Sequence, residues 1–310
     1  MAGKYRLLPC PGGLRAALSL IERFTHERQS MKVITLVHGR GAHLANLIRG
    51  LESSSPIPQG LWIVHMNEAP GDFTSRVFPI NTLQVDELGG LPLARARNSV
   101  TAIDPAGPWV FLDVDCIPAH DLLAHYRDGL VAQPDALHMG QVRYLPEGAN
   151  RPGWDEAALN AQGVEHPLTR FRTGAGNALP HHLFWSLNFA CRGSTFARIG
   201  GFDEGYRGYG GEDTDFAFRA RDQGVAVLDN PGLAFHQYHA TYDPPLNHFA
   251  DIVANAQRFH SRWGVWPMEG WLAAFRDLGL LHWTDQRLEI IEVPSAELVA
   301  RTLTTNRLGF

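Results

Sequence analysis

Asp113 and Asp115 stand one residue apart at the end of the apolar run WVFLDVD. Buried unpaired carboxylates are expensive, so two delivered together belong at a strand end, in water or on a shared cation. Hard carboxylate oxygens suit magnesium or manganese, and such an ion suits a phosphate-bearing ligand. A second group, Gly210-Gly211-Glu212-Asp213-Thr214-Asp215, sets two glycines before a cluster of acids. The glycines permit an unusual backbone or a close ligand approach, and the acids suit the first turn of a helix. Glu212 and Asp213 then point in different directions, leaving one to accept a proton while the other holds a ligand hydroxyl. A third group, His236-Gln-Tyr-His239, offers two imidazoles that share a face on a helix and diverge on a strand. Neutral imidazole can complete a metal site begun by carboxylates. Taken singly, each group has an ordinary structural explanation: an Asp-containing turn, a capped helix, and histidines of the surface or core.

The elements that must position these groups alternate. KVITLVHG and GLWIVHMNE have the apolar, β-branched density of strands, TLQVDE is a shorter one, and GAHLANLIRGLESS has helical spacing between the first two. PLARARNSVTAI is helical up to the Asp-Pro-Ala-Gly-Pro break, WVFLDVD is a strand, and a helix is expected from about Pro118 to Leu130. This order predicts an α/β fold with a mostly parallel central sheet flanked by helices, whose ligands gather beyond the carboxyl ends of the strands. Strand alternation would point Asp113 and Asp115 to one side and Val114 inward. Further on, HMGQVRYLP is a candidate strand, residues 146–181 are loop-rich, a strand is expected through Phe189 and a short helix from Ser194. GEDTDFAFRARDQG is a helix, VAVLDN and LAFHQYH are two strand candidates, 247–278 is helical with a break at WGVWPMEG, and LEIIEV ends the core.

The 310 residues can bury a substantial core. A formal charge of -5, from 32 acidic and 27 basic residues, supplies no basic excess for a nucleic-acid partner. Cys10, Cys116 and Cys191 are widely spaced and odd in number, which excludes a disulfide framework as the default. No run approaches the roughly 20 apolar residues of a membrane span, and the N-terminus lacks signal-peptide order. Cytoplasmic residence is the expectation, with peripheral membrane association left open.

Taken together, LARARN, FLDVDC, GGFDEGYRGYGGEDTDF and FHQYH resemble, in that order, an inverting nucleotide-sugar glycosyltransferase of the GT-A fold, family 2 type. The later segment is similar to the carboxyl-terminal part of galactosyltransferase-like enzymes. The resemblance runs from about Met31 through His239. It implies that Asp113 and Asp115 form the metal and diphosphate motif, with Asp115 the firmer ligand, and that Arg97 and Asn98 shape the nucleotide side. Tyr209-Gly210-Gly211-Glu212-Asp213 matches a Trp-Gly-Gly-Glu-Asp sequence, making Asp213 the expected base and Glu212 an acceptor-sugar partner, with Gly211 beside the donor. His239 matches the family's metal histidine, and His236 falls where those enzymes carry a metal-binding methionine. Several positions depart from the pattern. Tyr209 replaces tryptophan, Thr214 replaces an acid, and HGRGAHL replaces a Pro-Thr-Tyr-Asn type of segment while keeping His38 and Arg40 near the donor. The nucleotide-binding acid after the second strand is not evident, Asn67, Glu68 and Asp72 all being candidates.

The implied reaction is metal-dependent transfer of a hexose from a nucleotide-diphosphate sugar, UDP-linked by expectation, to an acceptor hydroxyl on a glycan, glycolipid or small glycoside. Mn2+ or Mg2+ is the implied cofactor, and no oligomeric state is encoded. Arg97 also fits a helix-closing salt bridge, Asn98 a loop tie, and Trp185, Phe202, Tyr206 and Tyr209 a sugar-stacking wall, Phe202 fitting the core better. Nucleotidyltransferase, phosphohydrolase and non-catalytic sugar-nucleotide binding stay open as alternatives, since each can use Asp113 and Asp115. The expected organisation is an extension or packing helix at 1–30, one catalytic domain at 31–283 (nucleotide half 31–130, acceptor and catalytic half 131–246, helical completion 247–283) and a strand and tail at 284–310. Trp263, Trp266 and Trp271 in the helical completion fit either core packing or a partner surface.

Overall fold

A computed structural model describes residues 31–99, 103, 105 and 107–304. The extension expected at 1–30, with Cys10, and the last residues of the tail lie outside the described residues. The first half builds four parallel strands of one sheet. β1 (Lys32–Val37) is buried at every position but its first, so its apolar side chains face helices on both sides. α1 (Gly41–Glu52) turns Leu44, Leu47, Ile48 and Leu51 inward at helical spacing. β2 (Gly60–Met66) and β3 (Ile80–Val85) follow, then the short α2 (Leu93–Asn98) and β4 (Pro108–Leu112). These strands run parallel in the spatial order β3-β2-β1-β4.

The helix expected from Pro118 begins later. Cys116–Pro118 is a strand, β5, pairing antiparallel with 234–236, and α3 spans Leu122–Ala132. β6 (Leu137–Tyr144), α4 (Glu156–Gln162), β7 (Val164–Glu165), β8 (Ala178–Leu179), β9 (Asn188–Arg192), α5 (Gly193–Ile199) and α6 (Glu212–Asp222) lead to β10 (Val227–His236). The two strand candidates VAVLDN and LAFHQYH are therefore one long strand, with its register shifted between Asp229 and Leu233 around Pro231-Gly232. The sheet is completed as β4-β9-β6-β10-β5, with β9 antiparallel to both neighbours. Asn188 stitches this junction: its buried amide donates to the Gln141 and Gly232 carbonyls at 2.9 and 3.0 Å and accepts from the Tyr126 hydroxyl at 2.6 Å.

Five phenylalanines pull the acidic helix α6 onto this sheet. Phe111 stacks on Phe189 at 4.4 Å, Phe202 on Phe216 at 4.2 Å, and Phe196 packs between the pairs. Each buried ring contributes roughly 1.5–3 kcal/mol, so the cluster fixes the start of α6 against the end of β4. α7 (Phe249–Trp263) and α8 (Glu269–Asp277) form a second core with Leu246, Leu280, Leu281 and Leu288. The helical reading of 247–278, broken at WGVWPMEG, agrees with α7 and α8. LEIIEV gives the core only its first residue: Leu288 is buried in β12 (Leu288–Ile290), which pairs with β11 (Leu281–Trp283), whereas Ile290, Ile291 and Val293 are exposed, and α9 (Ala296–Arg301) follows. Among the described residues no helix is long and apolar enough to cross a membrane.

Candidate active site

The chemistry-bearing residues meet beyond the carboxyl ends of β1, β4 and β10. Residues 113–115 are in a turn, not in the strand: the Cys116 N–H donates to the Asp113 carbonyl at 2.8 Å, closing it. The expected alternation therefore fails, and the two acids face different partners. Asp115 is buried, with His43 Nδ1 2.6 Å from Oδ1 and Arg40 Nη1 donating to Oδ2. Asp113 is part-exposed and pairs with Arg97 Nη2 at 3.4 Å.

His236 ends β10 and His239 lies in the loop beyond it, so their separation of three is neither a helical nor a strand spacing. One ligand atom from each, with one from Asp115, converges to within 4.8 Å. Asp113 is not in that group. His236 Nδ1 is buried without a hydrogen-bond partner, and burial together with His239 holds this imidazole well below the ordinary histidine range. A neutral ring with an unpartnered nitrogen can serve as a metal donor. His239 Nδ1 lies 3.1 Å from the Ala240 carbonyl, and a proton held there leaves the Nε2 lone pair facing Asp115, 3.7 Å from Oδ2. His43 is likewise lowered, to about 4, by burial and by Arg40 and His239. Between the two histidines, fully buried Gln237 clamps the assembly: its backbone N–H donates to the Asp115 carbonyl at 2.7 Å and its amide to the His43 carbonyl at 3.0 Å.

Arg97 joins this side to the acidic helix. It is 4 % exposed, lies over the Phe202 ring, and donates to Glu212 Oε1 at 3.2 Å as well as to Asp113. Burial works against its charge, but Asp113, Glu212 and Asp213 outweigh that and raise its pKa. Asp213 is raised to about 7, first by burial and then by the neighbouring Glu212. Its Oδ1 accepts the Thr214 N–H at 2.7 Å. Asp215 instead serves the packing. It is fully buried, bonded to Arg219 at 2.8 Å and to the Trp263 indole at 2.9 Å, and so fastens α6 to α7.

The loop before α6 depends on its glycines and on one asparagine. Gly210 and Gly211 have φ of 98° and 87°, where L side chains are strained, and a Cβ at Gly210 would lie 2.7 Å from Met268 Sδ. Asn255, buried on α7, donates to the carbonyls of Arg207, Tyr209 and Gly210 and accepts from the Arg207 N–H. Asn255→Ala removes all of these at once. Unpaired buried groups cost about 1–3 kcal/mol, so the melting temperature should fall by several degrees in a thermal melt. Unchanged melting would show that the loop holds its shape without this staple.

Other residues singled out in the sequence lie elsewhere. Asn98 is a loop tie, donating to the Phe202 carbonyl at 2.8 Å and accepting the Phe202 N–H at 2.7 Å. It turns away from Arg97 and does not join the acids. Asn67 adopts φ 52° and ties the Glu87–Gly90 loop through the Glu87 N–H and the Gly90 carbonyl. Of the three candidates after β2, Glu68 has the most directed carboxylate, accepting the Gly39 N–H at 2.6 Å and facing His65 at 2.9 Å. With Asn67, His38, Asp86 and Gly90 it lines an open cleft of about 850 Å³ at the ends of β2 and β3. Tyr209 is exposed and stacked on His248 at 4.7 Å, whereas Phe202 and Tyr206 are buried and Trp185 packs edge-on against His166. Sequence reasoning missed His43, Gln237 and Asn255. Only Asn255 left a readable signal, a polar residue inside the buried stripe Ile252, Val253, Ala256 and Phe259.

With this geometry in place, the similarities to known proteins fall where the site lies. Residues 168–243, from the loop before β8 through His239, match the family described as the N-terminal domain of galactosyltransferase. The chain is 40% identical over 97 residues to validoxylamine A glucosyltransferase of Streptomyces hygroscopicus subsp. jinggangensis (strain 5008), covering 29% of this chain and 22% of that one. The enzyme of the same name from subsp. limoneus gives the same identity, with 20% of its length covered. The chain thus spans about a fifth of these curated relatives. Among solved structures, GalNAc-T7 with UDP, GalNAc and Mn2+ superposes with a TM-score of 0.51 at 15% identity, over 68% of this chain and 44% of that one. TarS residues 1–349 of S. aureus gives 0.50 at 14%, over 74% and 65%. The described residues therefore take the GT-A fold of these glycosyltransferases, and the segment 168–243 matches the galactosyltransferase family description.

Proposed function

We propose that this chain is a metal-dependent inverting glycosyltransferase that moves a hexose from a nucleotide-diphosphate sugar to an acceptor hydroxyl. The observation that carries the reading is buried Arg97, which pairs with Asp113 and with Glu212 and so joins the turn that holds Asp115 to the start of α6, where Asp213 lies. A carboxylate with its pKa near 7 is suited to take a proton from a hydroxyl at neutral pH. The acceptor oxygen then bonds to the anomeric carbon as the bond from that carbon to the diphosphate oxygen breaks. The hydroxyl proton goes to Asp213, and attack from the opposite face inverts the anomeric configuration. No second carboxylate is needed as a sugar nucleophile.

Asp115, His236 and His239 fit a divalent ion, two imidazole nitrogens and one carboxylate favouring a transition ion such as manganese over magnesium. Such an ion, when bound, would supply charge neutralisation for the departing diphosphate. Arg40, half-exposed beside Asp115, is placed to contact the phosphates, and Glu68 and the cleft beyond it are placed for the nucleoside. Exposed Tyr209, held by His248, offers an apolar ring face to an acceptor sugar. The 31–283 catalytic unit, with 247–283 supplying Asn255, belongs to this same reading.

Calorimetric titration with UDP, GDP, ADP and their hexose conjugates tests it, run with Mn2+, Mg2+ or chelator. UDP and Mn2+ are the first probes because they accompany the similar fold of GalNAc-T7. One nucleotide should bind, at least 10-fold more tightly with Mn2+ than with chelator. A folded chain that binds none of them would contradict the proposal.

A further inference from the structure

Both oxygens of Asp115 are engaged by the start of one helix. His43, in the first turn of α1, meets Oδ1 at 2.6 Å, and Arg40, immediately before the helix, donates to Oδ2. Oδ2 is also the oxygen that faces His239 Nε2 at 3.7 Å. A cation drawn to Asp115, His236 and His239 therefore meets an oxygen on which a guanidinium already sits. The two carboxylate partners differ in freedom: the Arg40 side chain is 39% exposed and the His43 side chain 18%. Arg40 is long, solvent-facing and always charged, so it can leave Asp115 without losing its hydration or its charge. His43 is enclosed, and its backbone is held by Gln237.

We infer that Arg40 is a resident cation that a divalent ion must displace from Asp115, and that the freed guanidinium is received by the diphosphate of the bound ligand. The diphosphate half of this inference rests on the proposed function, and the displacement of Arg40 by the ion does not. Without a diphosphate, the ion binds against the loss of the Arg40–Asp115 pair. With one, Arg40 exchanges a carboxylate for phosphate oxygens, which its planar fork also fits. Ion and diphosphate consequently strengthen each other's binding by the same factor.

The test is Mn2+ binding to the full chain, read as free Mn2+ by electron paramagnetic resonance. It is run with the metal alone and then with inorganic pyrophosphate, after correction for the Mn-pyrophosphate complex. Arg40→Ala and Arg40→Gln should each bind Mn2+ alone at least 10-fold more tightly than the starting protein. Pyrophosphate should strengthen Mn2+ binding at least 10-fold in the starting protein and less than about 3-fold in either variant. A general field effect of the lost charge would fade at 0.5 M NaCl, where the Debye length is about 4 Å, whereas relief of a direct contact persists. The inference is overturned if both variants bind Mn2+ alone no more tightly than the starting protein, if their gain vanishes at 0.5 M NaCl, or if pyrophosphate coupling is unchanged by either substitution. Tighter Mn2+ binding by the variants, in a protein that consumes no nucleotide sugar, would keep the displacement and count against the transferase reading alone.

Discussion

Asp213→Asn is expected to lower turnover by about 10²–10⁴-fold while leaving nucleotide binding within about 3-fold of the starting protein. The amide keeps the shape and the hydrogen bond from the Thr214 N–H but cannot take the acceptor proton. In the starting protein, turnover should rise with pH and reach half its plateau near pH 7, where Asp213 loses its proton. The variant should show no such rise. Stability separates this role from a structural one. Burial and Glu212 raise Asp213 from 3.8 to about 7, so the folded chain holds this proton more tightly than the unfolded chain. Its contribution is fully present below about pH 4 and is lost as pH rises through about 7. At about 1.4 kcal/mol per pKa unit the loss is on the order of 4 kcal/mol. Asp213→Asn should therefore melt several degrees higher than the starting protein at pH 8 and close to it at pH 4. A variant that melts lower at pH 8, or keeps full turnover, would remove Asp213 from the reaction.

Asp115→Ala is expected to abolish metal-dependent nucleotide binding and to reduce turnover by at least 10³-fold. It deletes the one carboxylate shared by Arg40, His43 and His239. Removing one partner of a fully buried ion pair costs about 3–5 kcal/mol, because a charge is left without water or partner. Here Arg40 reaches solvent and His43 is neutral at pH 7, so the stability loss should be nearer 1 kcal/mol. The signature is thus a large functional loss with a small change in melting temperature. Calorimetry of nucleotide with Mn2+ and chelator measures the first, and a thermal melt the second. Unchanged metal dependence in the variant would place the ion elsewhere.

What could be seen in the sequence was set by distance along the chain. The apolar run into Asp113 and Asp115 marked the end of β4, and the glycines before Glu212 marked the left-handed turn that starts α6, because both signals are local. The orientation of the two aspartates was not local. It depends on Cys116–Pro118 forming β5 against residues 234–236, a pairing of three residues that no periodicity reveals. His43 meets Asp115 across 72 positions and Gln237 meets His43 across 194, so their roles exist only once the sheet has closed. Adjacent residues could also part company: Arg97 faces the acids from α2, while Asn98, one step around the helix, ties the loop at Phe202. Asn67, the residue after β2, is a special position whose φ of 52° ties a loop, and it lines the cleft beside Glu68.

The most direct measurement of the central claim is donor consumption under single-turnover conditions. A panel of nucleotide sugars would be incubated with excess protein in Mn2+, Mg2+ or chelator, alone and with simple glycoside acceptors, beside Asp115→Ala and Asp213→Asn. One donor should release its nucleoside diphosphate only with metal and faster with an acceptor, with both variants silent and only Asp213→Asn still binding the donor. Release of inorganic phosphate or nucleoside monophosphate, or donor consumption that survives chelator and both substitutions, would contradict a transferase built on Asp115 and Asp213.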